Sequence, residues 1–382
     1  MDALMLPLNW QRVRLGDIGK PCMCKRVMKH QTTRYGEIPF YKIGTFGNTA
    51  DAFISKKLFL EYKTKYSFPK KGDVLISASG TIGRAVIYDG KPAYFQDSNI
   101  VWIDNDETLV KNDFLFYAYS NVKWNTEHTI ILRLYNDNFR NTLIPLPPLN
   151  EQSAIANILS DLDRYLYALD ALILKKEGVK KALSFELLNQ IKRLKGFNQA
   201  WQRVRLGDIA NYVTSNLSAE QITQQGKIKV YDVNNFIGYT DTTFISDKPY
   251  ISIVKDGSVG RVRILPPKTN ILSTMGALIA NHRTTTEFLF YLLSNFDFKN
   301  FTSGSIIPHI YFKDYKEKTI FLPPLNEQSA IANILSALDN EIASLKNKKH
   351  QFENIKKALN HDLMSAKIRV LKKTKIKPKN AF

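Results

Sequence analysis

The chain has 382 residues, which is more than one ordinary domain uses and enough for two or three domains. Its formal net charge of +19 favours a polyanionic partner such as nucleic acid or a membrane surface, although lysines that are merely solvated would give the same sum. The sequence has no apolar run long enough for a transmembrane helix, no signal-peptide pattern at its N-terminus, and too few cysteines for a disulfide framework or a four-ligand zinc site. We therefore expect a cytoplasmic protein with no membrane partner, no metal and no other cofactor.

The strongest feature along the chain is an internal repeat. The short block Trp10–Ile18 recurs letter for letter at Trp201–Ile209, and the long block Leu146–Ser160 recurs letter for letter at Leu322–Ser336. The inserts between a short and a long block share only a few islands. The chain therefore consists of two tandem copies of one scaffold that carry two different inserts.

The first insert contains a strand, a glycine-rich turn and a second strand in its predicted order. Residues 73–79 are predicted to form a buried strand that enters the turn, Gly80–Arg84 supplies turn residues, and residues 85–88 form the apolar strand that leaves it. The second insert echoes the turn at Gly257–Arg261. Short buried helices are predicted at two aromatic segments, Phe114–Tyr119 and Phe288–Leu293.

A long helix is predicted to start within each long block. The prolines before it end an extended segment, Asn150 and Asn326 are suitable N-caps, and Glu151 and Glu327 place negative charge in the first turn. Apolar residues then follow with the 4-3-4-3 spacing of a coiled-coil seam. The seam residues are Ile155, Leu159, Leu162, Leu166, Leu169, Ile173, Leu183 and Leu187 in the first helix, and Ile331, Leu335, Leu338, Ile342, Leu345, Phe352, Leu359 and Leu363 in the second.

Four lysines interrupt this seam, namely Lys176, Lys180, Lys349 and Lys356. Polar seam positions reduce stability but fix the register of the two helices. Each helix is expected to run for about 45 residues, or roughly 65 Å. The pseudo-twofold symmetry of the repeat favours an antiparallel pair, and the alternative is that each helix packs on its own domain.

The ordered double array of these features resembles the specificity subunit of type I restriction-modification systems over essentially the whole chain. It consists of a WQRVRLGDI opening, a turn of the SASGTIGR type, an LPPLNEQSAIANILS block and a long helix. The resemblance implies an α+β fold, in which two mixed α/β target-recognition domains are joined by two long antiparallel coiled-coil helices in a pseudo-twofold tandem repeat. It also implies a non-catalytic DNA-binding subunit, whose two heads each read one half of a bipartite, asymmetric site in double-stranded DNA.

The resemblance further implies partners and boundaries. The helices would set the distance between the heads and dock two methyltransferase subunits, and restriction (motor-nuclease) subunits would join that complex. The first target-recognition domain is expected at residues 1–145, a central conserved spacer helix at 146–195, the second target-recognition domain at 196–321, and the C-terminal conserved helix with a frayed basic tail at 322–382. Because the inserts differ throughout the family, no base preference carries over.

The two glycine-rich turns are the best candidates for contact with DNA. Glycine lets the backbone approach a surface closely, Ser and Thr bond phosphate, and Arg bonds guanine or phosphate in a bidentate way. A purely structural turn would carry the same letters. The predicted DNA-binding residues are Lys25, Arg26, Ser79, Thr81, Arg84 and Arg133 in the first head, and Lys255, Ser258, Arg261, Arg263 and His309 in the second.

Two further pairs of residues hold matching places in the inserts. Arg133 and His309 each stand two residues before a tyrosine, so they are expected to line equivalent surfaces. The tyrosines, Tyr135 and Tyr311, are expected to pack against the start of the helix. Weaker basic candidates are Lys29, Arg34, Lys227 and Lys229.

The sequence lacks the signatures of the enzymes that act with such subunits. There is no GxxxxGK[ST] phosphate loop of a motor ATPase and no Asn-Pro-Pro-Tyr-like tetrapeptide of a DNA methyltransferase. Asp97 and Asp104 with Lys91 have a nuclease-like spacing, which chance also supplies. Two other hypotheses remain open, a stand-alone DNA-modifying enzyme with a cryptic site and a structural coiled-coil protein whose basic charge is incidental.

Overall fold

The computed structural model describes residues 7–128 and 132–370. Most of the predicted basic tail, residues 371–382, lies outside the described residues. The chain divides into two compact units, of which unit 1 comprises Met1–Ala168 with Lys349–Phe382 and unit 2 comprises Leu169–Lys348. Each unit therefore contains one insert and a part of both long helices.

Unit 1 is built from short strands and short helices around two cores. Its strands are β1 (Gln11–Arg14), β2 (Gly19–Met23), β3 (Ile38–Tyr41), β4 (Phe53–Ile54), β5 (Val74–Ser77), β6 (Ala85–Ile87), β7 (Tyr94–Phe95), β8 (Ile100–Asn105), β9 (Glu127–His128), β10 (Leu132–Arg133) and β11 (Leu143–Leu146). Its short helices are α1 (Leu15–Ile18), α2 (Lys56–Lys65), α3 (Asn112–Tyr119) and α4 (Asn136–Asn141).

The central sheet of unit 1 has the strand order β2-β8-β5-β6 and is antiparallel. Successive side chains of a strand point to opposite faces, and both faces of this sheet are covered. Val74 and Ile76 of β5 therefore enter one core, while Leu75 enters the other. This explains why the segment is a continuous apolar run and not an alternating one. A second sheet has the order β4-β3-β7, in which β3 and β7 are parallel.

Unit 2 repeats this plan with a different insert. Its strands are β12 (Gln202–Arg205), β13 (Ala210–Thr214), β14 (Ile228–Tyr231), β15 (Phe236–Thr240), β16 (Tyr250–Val254), β17 (Val262–Leu265), β18 (Thr269–Ile271), β19 (Met275–Ala280), β20 (Thr302–Ser303), β21 (His309–Ile310) and β22 (Thr319–Leu322). The two long helices α5 (Leu149–Leu188) and α8 (Leu325–Met364) contribute to both units, and the short helices of unit 2 are α6 (Thr286–Ser294) and α7 (Phe312–Tyr315). The sheet orders β13-β19-β16-β17 and β15-β14-β18 match those of unit 1.

The predicted local elements of the inserts are present. The strand, turn and strand of the first insert correspond to β5, the loop after it and β6. The two aromatic segments form α3 and α6. Asp113 lies in the first turn of α3. Thr285 caps α6, where its side chain accepts a hydrogen bond from the Phe288 amide at 3.2 Å. Both helices bury their aromatic residues in the core next to the central sheet.

Strand pairing and a hydrogen bond connect the beginning of each scaffold copy to its long helix. β1 of the short block pairs antiparallel with β11, and β12 pairs in the same way with β22, so each scaffold closes around its insert. The tryptophan of the short block then donates a hydrogen bond from Nε1 to the first-turn glutamate of the long helix, over 3.1 Å in unit 1 and 2.9 Å in unit 2. An arginine beyond the end of the other long helix binds the same carboxylate, at 2.6 Å in both units. We call these triads the frame clamps: Trp10, Glu151 and Arg369 in unit 1, and Trp201, Glu327 and Arg193 in unit 2.

The predicted caps of the long helices are wrong by two residues, because Pro148 and Pro324 directly precede the first helical residues. α5 begins at Leu149, so Asn150 lies within the first turn, where its Oδ1 accepts from the Glu151 amide at 3.0 Å. The Pro148 carbonyl already accepts the Glu151 amide at 2.9 Å, which starts the helix earlier than the sequence indicated. Glu151 does lie in the first turn, as predicted, and it is 2% exposed within its clamp.

The long helices pack on each other within each unit. In unit 2, Lys176 Nζ lies 2.8 Å from Glu341 Oε1 and Lys180 bonds Asp339, so the α8 partner falls in number as the α5 residue rises. This is an antiparallel pairing. In unit 1, Lys356 bonds Asp163, and the rings of Tyr165 and Phe352 lie 4.7 Å apart.

The seam prediction is confirmed by burial. All the predicted seam residues are buried or half-buried, and so are the four interrupting lysines. Lys176, Lys180 and Lys356 each bond an acid on the other helix, which offsets part of the cost of placing a charge in the seam. The predicted fold class, two mixed α/β heads with two long antiparallel helices in a tandem repeat, is confirmed.

Candidate nucleic-acid interface

The first glycine of each predicted DNA-contact turn faces open space. Gly80 has φ +65° and Gly257 has φ +83°, a backbone region that side-chain-bearing residues rarely adopt. A Cβ added at Gly80 would meet nothing closer than Ile43 at 3.9 Å, and one added at Gly257 would meet nothing within 4 Å. These glycines leave the backbone accessible, which suits a surface that another molecule approaches closely.

The second glycine of each turn has an internal role instead. Gly83 has φ +85° and Gly260 has φ +79°, and an aromatic ring covers each of them. A Cβ would stand 2.1 Å from Trp124 Nε1 in unit 1 and 2.6 Å from Phe298 Cδ2 in unit 2. The second glycine is therefore explained by packing alone.

The turn arginines connect each turn to the loop that follows β3 or β14. Arg84 donates from Nη1 to the Phe46 carbonyl at 3.0 Å. Arg261 donates from Nη2 to Asn234 Oδ1 at 2.8 Å, and Arg263 donates from Nη1 to the carbonyl of the same asparagine at 2.9 Å. Each such bond uses one of the five N–H donors of a guanidinium, so Arg84 and Arg261, which are exposed, keep donors for a ligand.

A second segment of each head lies directly beside the turn. Arg133 forms an isolated antiparallel bridge with Ser79, and His309 forms the same bridge with Asp256. The sequence predicted that Arg133 and His309 line equivalent surfaces, and they do occupy equivalent places beside the turn. Their contact with DNA stays a prediction.

The polar groups at these two bridges differ in chemistry. In unit 1, the buried Ser79 donates from Oγ to Asn99 Oδ1 at 2.8 Å, and Arg133 is exposed. In unit 2, His309 Nδ1 lies 2.6 Å from Asp256 Oδ1, and both side chains are about one-third exposed. The bridge of unit 1 therefore presents a cation beside a neutral hydrogen-bonded pair, whereas the bridge of unit 2 presents a histidine that bonds a carboxylate.

The tyrosines that follow these residues are not packed as predicted. Tyr135 is 41% exposed and Tyr311 is 50% exposed. Each directly precedes a short helix, and the aromatic residue buried by that helix is Phe139 in α4 and Tyr315 in α7, each 1% exposed. The buried aromatics thus take the place in the core, and the His309 ring lies parallel to the exposed Tyr311 ring at 6.5 Å.

The remaining predicted residues lie at the surface around the turns. Thr81 and Ser258 are exposed within the turns themselves, and the backbone of Lys255 runs beside His309 at the second bridge. Lys25 and Arg26 follow β2, where Lys25 Nζ lies 5.1 Å from the Tyr66 ring centre and Arg26 Nε bonds Asp97 Oδ2 at 2.8 Å. The weaker candidates Lys29, Arg34, Lys227 and Lys229 are all exposed.

Sequence reasoning missed Asn99, Asn234 and Asp256, which organise the turns. A signal for Asp256 was present, because it precedes the first glycine as Ser79 does in the other insert. The asparagines carried no signal of their own, because their partners are distant in the sequence. Asn234 stands 27 residues before Arg261.

The nuclease-like residues do not form one site. Asp97 pairs with Arg26, Asp104 with Lys70, and Lys91 with Asp89. Within residues 7–128 and 132–370, no cluster of His, Cys, Asp or Glu could hold a metal ion. No helix in that part of the chain is long and apolar enough to cross a membrane.

The chain matches a family model described as the type I restriction modification DNA specificity domain at residues 7–177 and again at 198–354. Over 152 residues it is 60% identical to a provisionally named type I restriction enzyme specificity subunit of Haemophilus influenzae, a match that spans 40% of each chain. It is 25% identical over 414 residues to the type I restriction enzyme MjaVIII specificity subunit of Methanocaldococcus jannaschii, covering 97% of this chain and 95% of that one.

Two solved structures share the fold. The crystal structure of a type I restriction-modification system S subunit from M. genitalium superposes with a TM-score of 0.62 at 19% identity, covering 94% of this chain and 98% of that one. A chain from a structural study of complex assembly in a type I system gives a TM-score of 0.56 at 16% identity with the same coverage. The resemblance inferred from the sequence is confirmed, because the two family-model matches span most of the chain. The chain belongs to the specificity subunits of type I restriction-modification systems, which are the non-catalytic members of those systems.

Proposed function

We propose that each unit reads one half of a bipartite, asymmetric site in double-stranded DNA. The observation that carries this proposal is the difference between the two bridges, where unit 1 presents the exposed Arg133 beside the buried Ser79 and unit 2 presents His309 held by Asp256. Donors and acceptors of different kinds select different base edges in the major groove. The net charge of +19 supplies the attraction to phosphate that positions both heads.

The predicted DNA-binding residues are part of this proposal. Glycine at the turn tip lets DNA approach, Thr81 and Ser258 offer hydroxyl groups, and Arg84 and Arg261 offer guanidinium groups at the same place in each head. The heads would lie within residues 1–145 and 196–321, and the helices of 146–195 and 322–382 would set their separation. Lys25 and Arg26 would contact phosphate at the edge of the first head.

The chain would act by directing partner subunits to the site. The long block and its clamp occur twice, so the chain offers two similar places for methyltransferase subunits, and restriction subunits would join through that complex. A DNA partner implies work in the cytoplasm, where Cys22 and Cys24, both free of disulfide bonds, would stay reduced. Mass measurement of the reconstituted complex should give two methyltransferase subunits per chain, and one per chain would contradict this stoichiometry.

Mapping of DNA methylation in the host genome, with and without this gene, tests the proposed function. We expect one motif that depends on the gene and consists of two different half-sites around a gap of fixed length. A palindromic or contiguous motif would contradict the two-headed model. The purified chain should bind DNA without cleaving or methylating it, whereas activity of the chain alone would favour a cryptic enzyme.

The turn arginines test the proposed interface. If Arg261 grips a guanine, Arg261→Ala should cost roughly 1–3 kcal/mol of binding and relax the specificity at one position of one half-site. If it binds phosphate, affinity should weaken for all DNA sequences. The slope of log affinity against log salt concentration should then decrease in magnitude by about one. Arg84→Ala should do the same in the other half-site. A matched control is Arg205→Ala, because Arg205 is also exposed in unit 2 but pairs with Glu317 away from the turn.

A further inference from the structure

An aliphatic pair stands in solvent at the tip of the β20–β21 hairpin of unit 2, which we call the tip hairpin (residues 302–310). Ile306 is 92% exposed and Ile307 is 55% exposed. Single exposed aliphatic side chains are common on protein surfaces, but two adjacent ones at a projecting tip are typical of a contact surface. The first insert has the same dipeptide, Ile130-Ile131, at the same distance ahead of its long block.

The tip hairpin is fixed against the predicted DNA-contact turn. The Gly257 amide donates to the Pro308 carbonyl at 2.9 Å, and the Ile310 amide donates to the Lys255 carbonyl at 2.9 Å. The hairpin is also tightly folded, since Gly304 has φ +90° and a Cβ there would stand 2.3 Å from the Ile307 carbonyl oxygen. Any duplex that contacts the turn therefore meets an aliphatic tip that is already in position.

The surroundings of the tip match the chemistry of one part of DNA. Basic residues flank it, with Lys299 ahead of β20 and Arg261 in the adjoining turn, and the nearest acid at the bridge, Asp256, is occupied by His309. A two-stranded ribbon fits the major groove, and the apolar group that a base pair presents there is the 5-methyl group of thymine.

We propose that Ile306 contacts the 5-methyl group of a thymine in the half-site read by unit 2. The inference rests on the proposed function, since it names one base contact of that same interface. Burial of the methyl group against the isoleucine adds affinity for thymine over a base without it. Removing one buried methyl group should weaken binding by about fourfold.

Replacement of thymine by deoxyuridine tests this contact, because it removes only the methyl group. The full chain, assembled with its methyltransferase subunits, is titrated by fluorescence anisotropy into duplexes with the mapped site, in which each thymine of that half-site is replaced in turn. The wild-type complex should lose about fourfold in affinity at one thymine. The Ile306→Ser complex should bind the unmodified duplex about as weakly, and it should not respond to that replacement.

Ser305→Ala, at the neighbouring position of the same hairpin, should keep the response of the wild type, and Ile306→Val should keep part of it. Because Ile306 makes no core contact, equal melting temperatures are expected for these variants. The inference is overturned if no thymine responds, if the half-site contains no thymine, if Ile306→Ser still responds, or if Ile306→Ser fails to assemble with the methyltransferase. A wild-type complex that does not distinguish the mapped site from random DNA would instead refute the proposed function.

Discussion

The frame clamps of units 1 and 2 use the same three residue types, whereas the surfaces beside the two glycine-rich turns do not. Each clamp joins a tryptophan, a glutamate that is at most 2% exposed and an arginine from the other long helix's end. Beside the turns, Ser79 with Arg133 in one unit stands where Asp256 with His309 stands in the other. A buried carboxylate loses its hydration on folding, so replacing the arginine leaves an uncompensated charge, and replacing the tryptophan removes a hydrogen-bond donor to that carboxylate. Arg133 is exposed and the Asp256 and His309 side chains are about one-third exposed, so a change at these positions carries a smaller penalty.

The seam between the long helices contains one group of residues that is the same in both units and one pair that differs. Tyr117, Asp163 and Lys356 of unit 1 recur as Tyr291, Asp339 and Lys180 of unit 2, with the tyrosine hydroxyl donating to the aspartate over 2.7 Å and 2.9 Å. Burial, reinforced by the aspartate, raises the pKa of both tyrosines. The next pair along the seam differs, since an ion pair in unit 2 stands where two aromatic rings meet in unit 1. The seam therefore repeats one three-residue network in both units and differs in the pair beside it.

The largest effect is expected from breaking a clamp. Glu327→Ala leaves the partly buried Arg193 and the Trp201 indole without their partner, and should lower the free energy of unfolding by about 3–5 kcal/mol. Urea denaturation followed by tryptophan fluorescence measures this loss, and Trp201 reports on the site itself. Glu341→Ala is the control, because its ion pair is half-exposed and worth below about 1 kcal/mol. Similar losses for the two variants would contradict the assignment of the clamp as the structural anchor.

A smaller effect on stability is expected at alkaline pH, where unit 1 has a buried thiol and unit 2 has none at the matching position. Burial raises the pKa of the Cys24 thiol from 9.0 to about 12, and the residue in the same place after β13 is Ser215, which does not titrate. Because the folded pKa is the higher one, this stabilisation is complete below pH 9 and is lost as the pH rises toward 12. Between pH 8 and pH 10 the wild type should lose about 1.4 kcal/mol relative to Cys24→Ala.

Urea denaturation of both proteins at the two pH values measures this difference. Cys22→Ala serves as the control, because Cys22 is only half-buried and its raised pKa should produce a weaker dependence. Parallel losses for the wild type and Cys24→Ala would show that the thiol is not ionised on unfolding in this range.

The smallest effect is expected from exchanging the variable seam pair. The double substitution Lys176→Phe with Glu341→Tyr places the aromatic pair of unit 1 into unit 2 and should change the stability by less than about 1 kcal/mol. Its clearer consequence is a weaker dependence of stability on salt, because the half-exposed ion pair is screened and the rings are not. Melting temperatures at low and high salt measure this, with Lys180→Met as a variant that should cost more, since Lys180 also supports Asp339 and Tyr291. An unchanged salt dependence would show that the ion pair contributes nothing.

Periodicity and repetition in the sequence were enough for the scaffold. The heptad spacing predicted which faces of α5 and α8 are buried, and the letter-for-letter repeats predicted two copies of one fold. These features depend on local geometry, in which residues three or four apart share a helix face. The helix starts were predicted two residues late, because the Pro148 carbonyl accepts a bond that the sequence pattern does not reveal.

The tertiary structure alone decided which distant groups meet. The short block of each copy pairs with the strand that leads into its long block, β1 with β11 and β12 with β22. An arginine beyond the end of each long helix completes the clamp of the other scaffold copy. Asp256 bonds His309, and Arg261 bonds Asn234, although nothing in the sequence of the intervening loops indicates these pairs. The physical reason is that such contacts depend on the register of strands and on loop closure over long separations, whereas a sequence window senses only the neighbours of each residue.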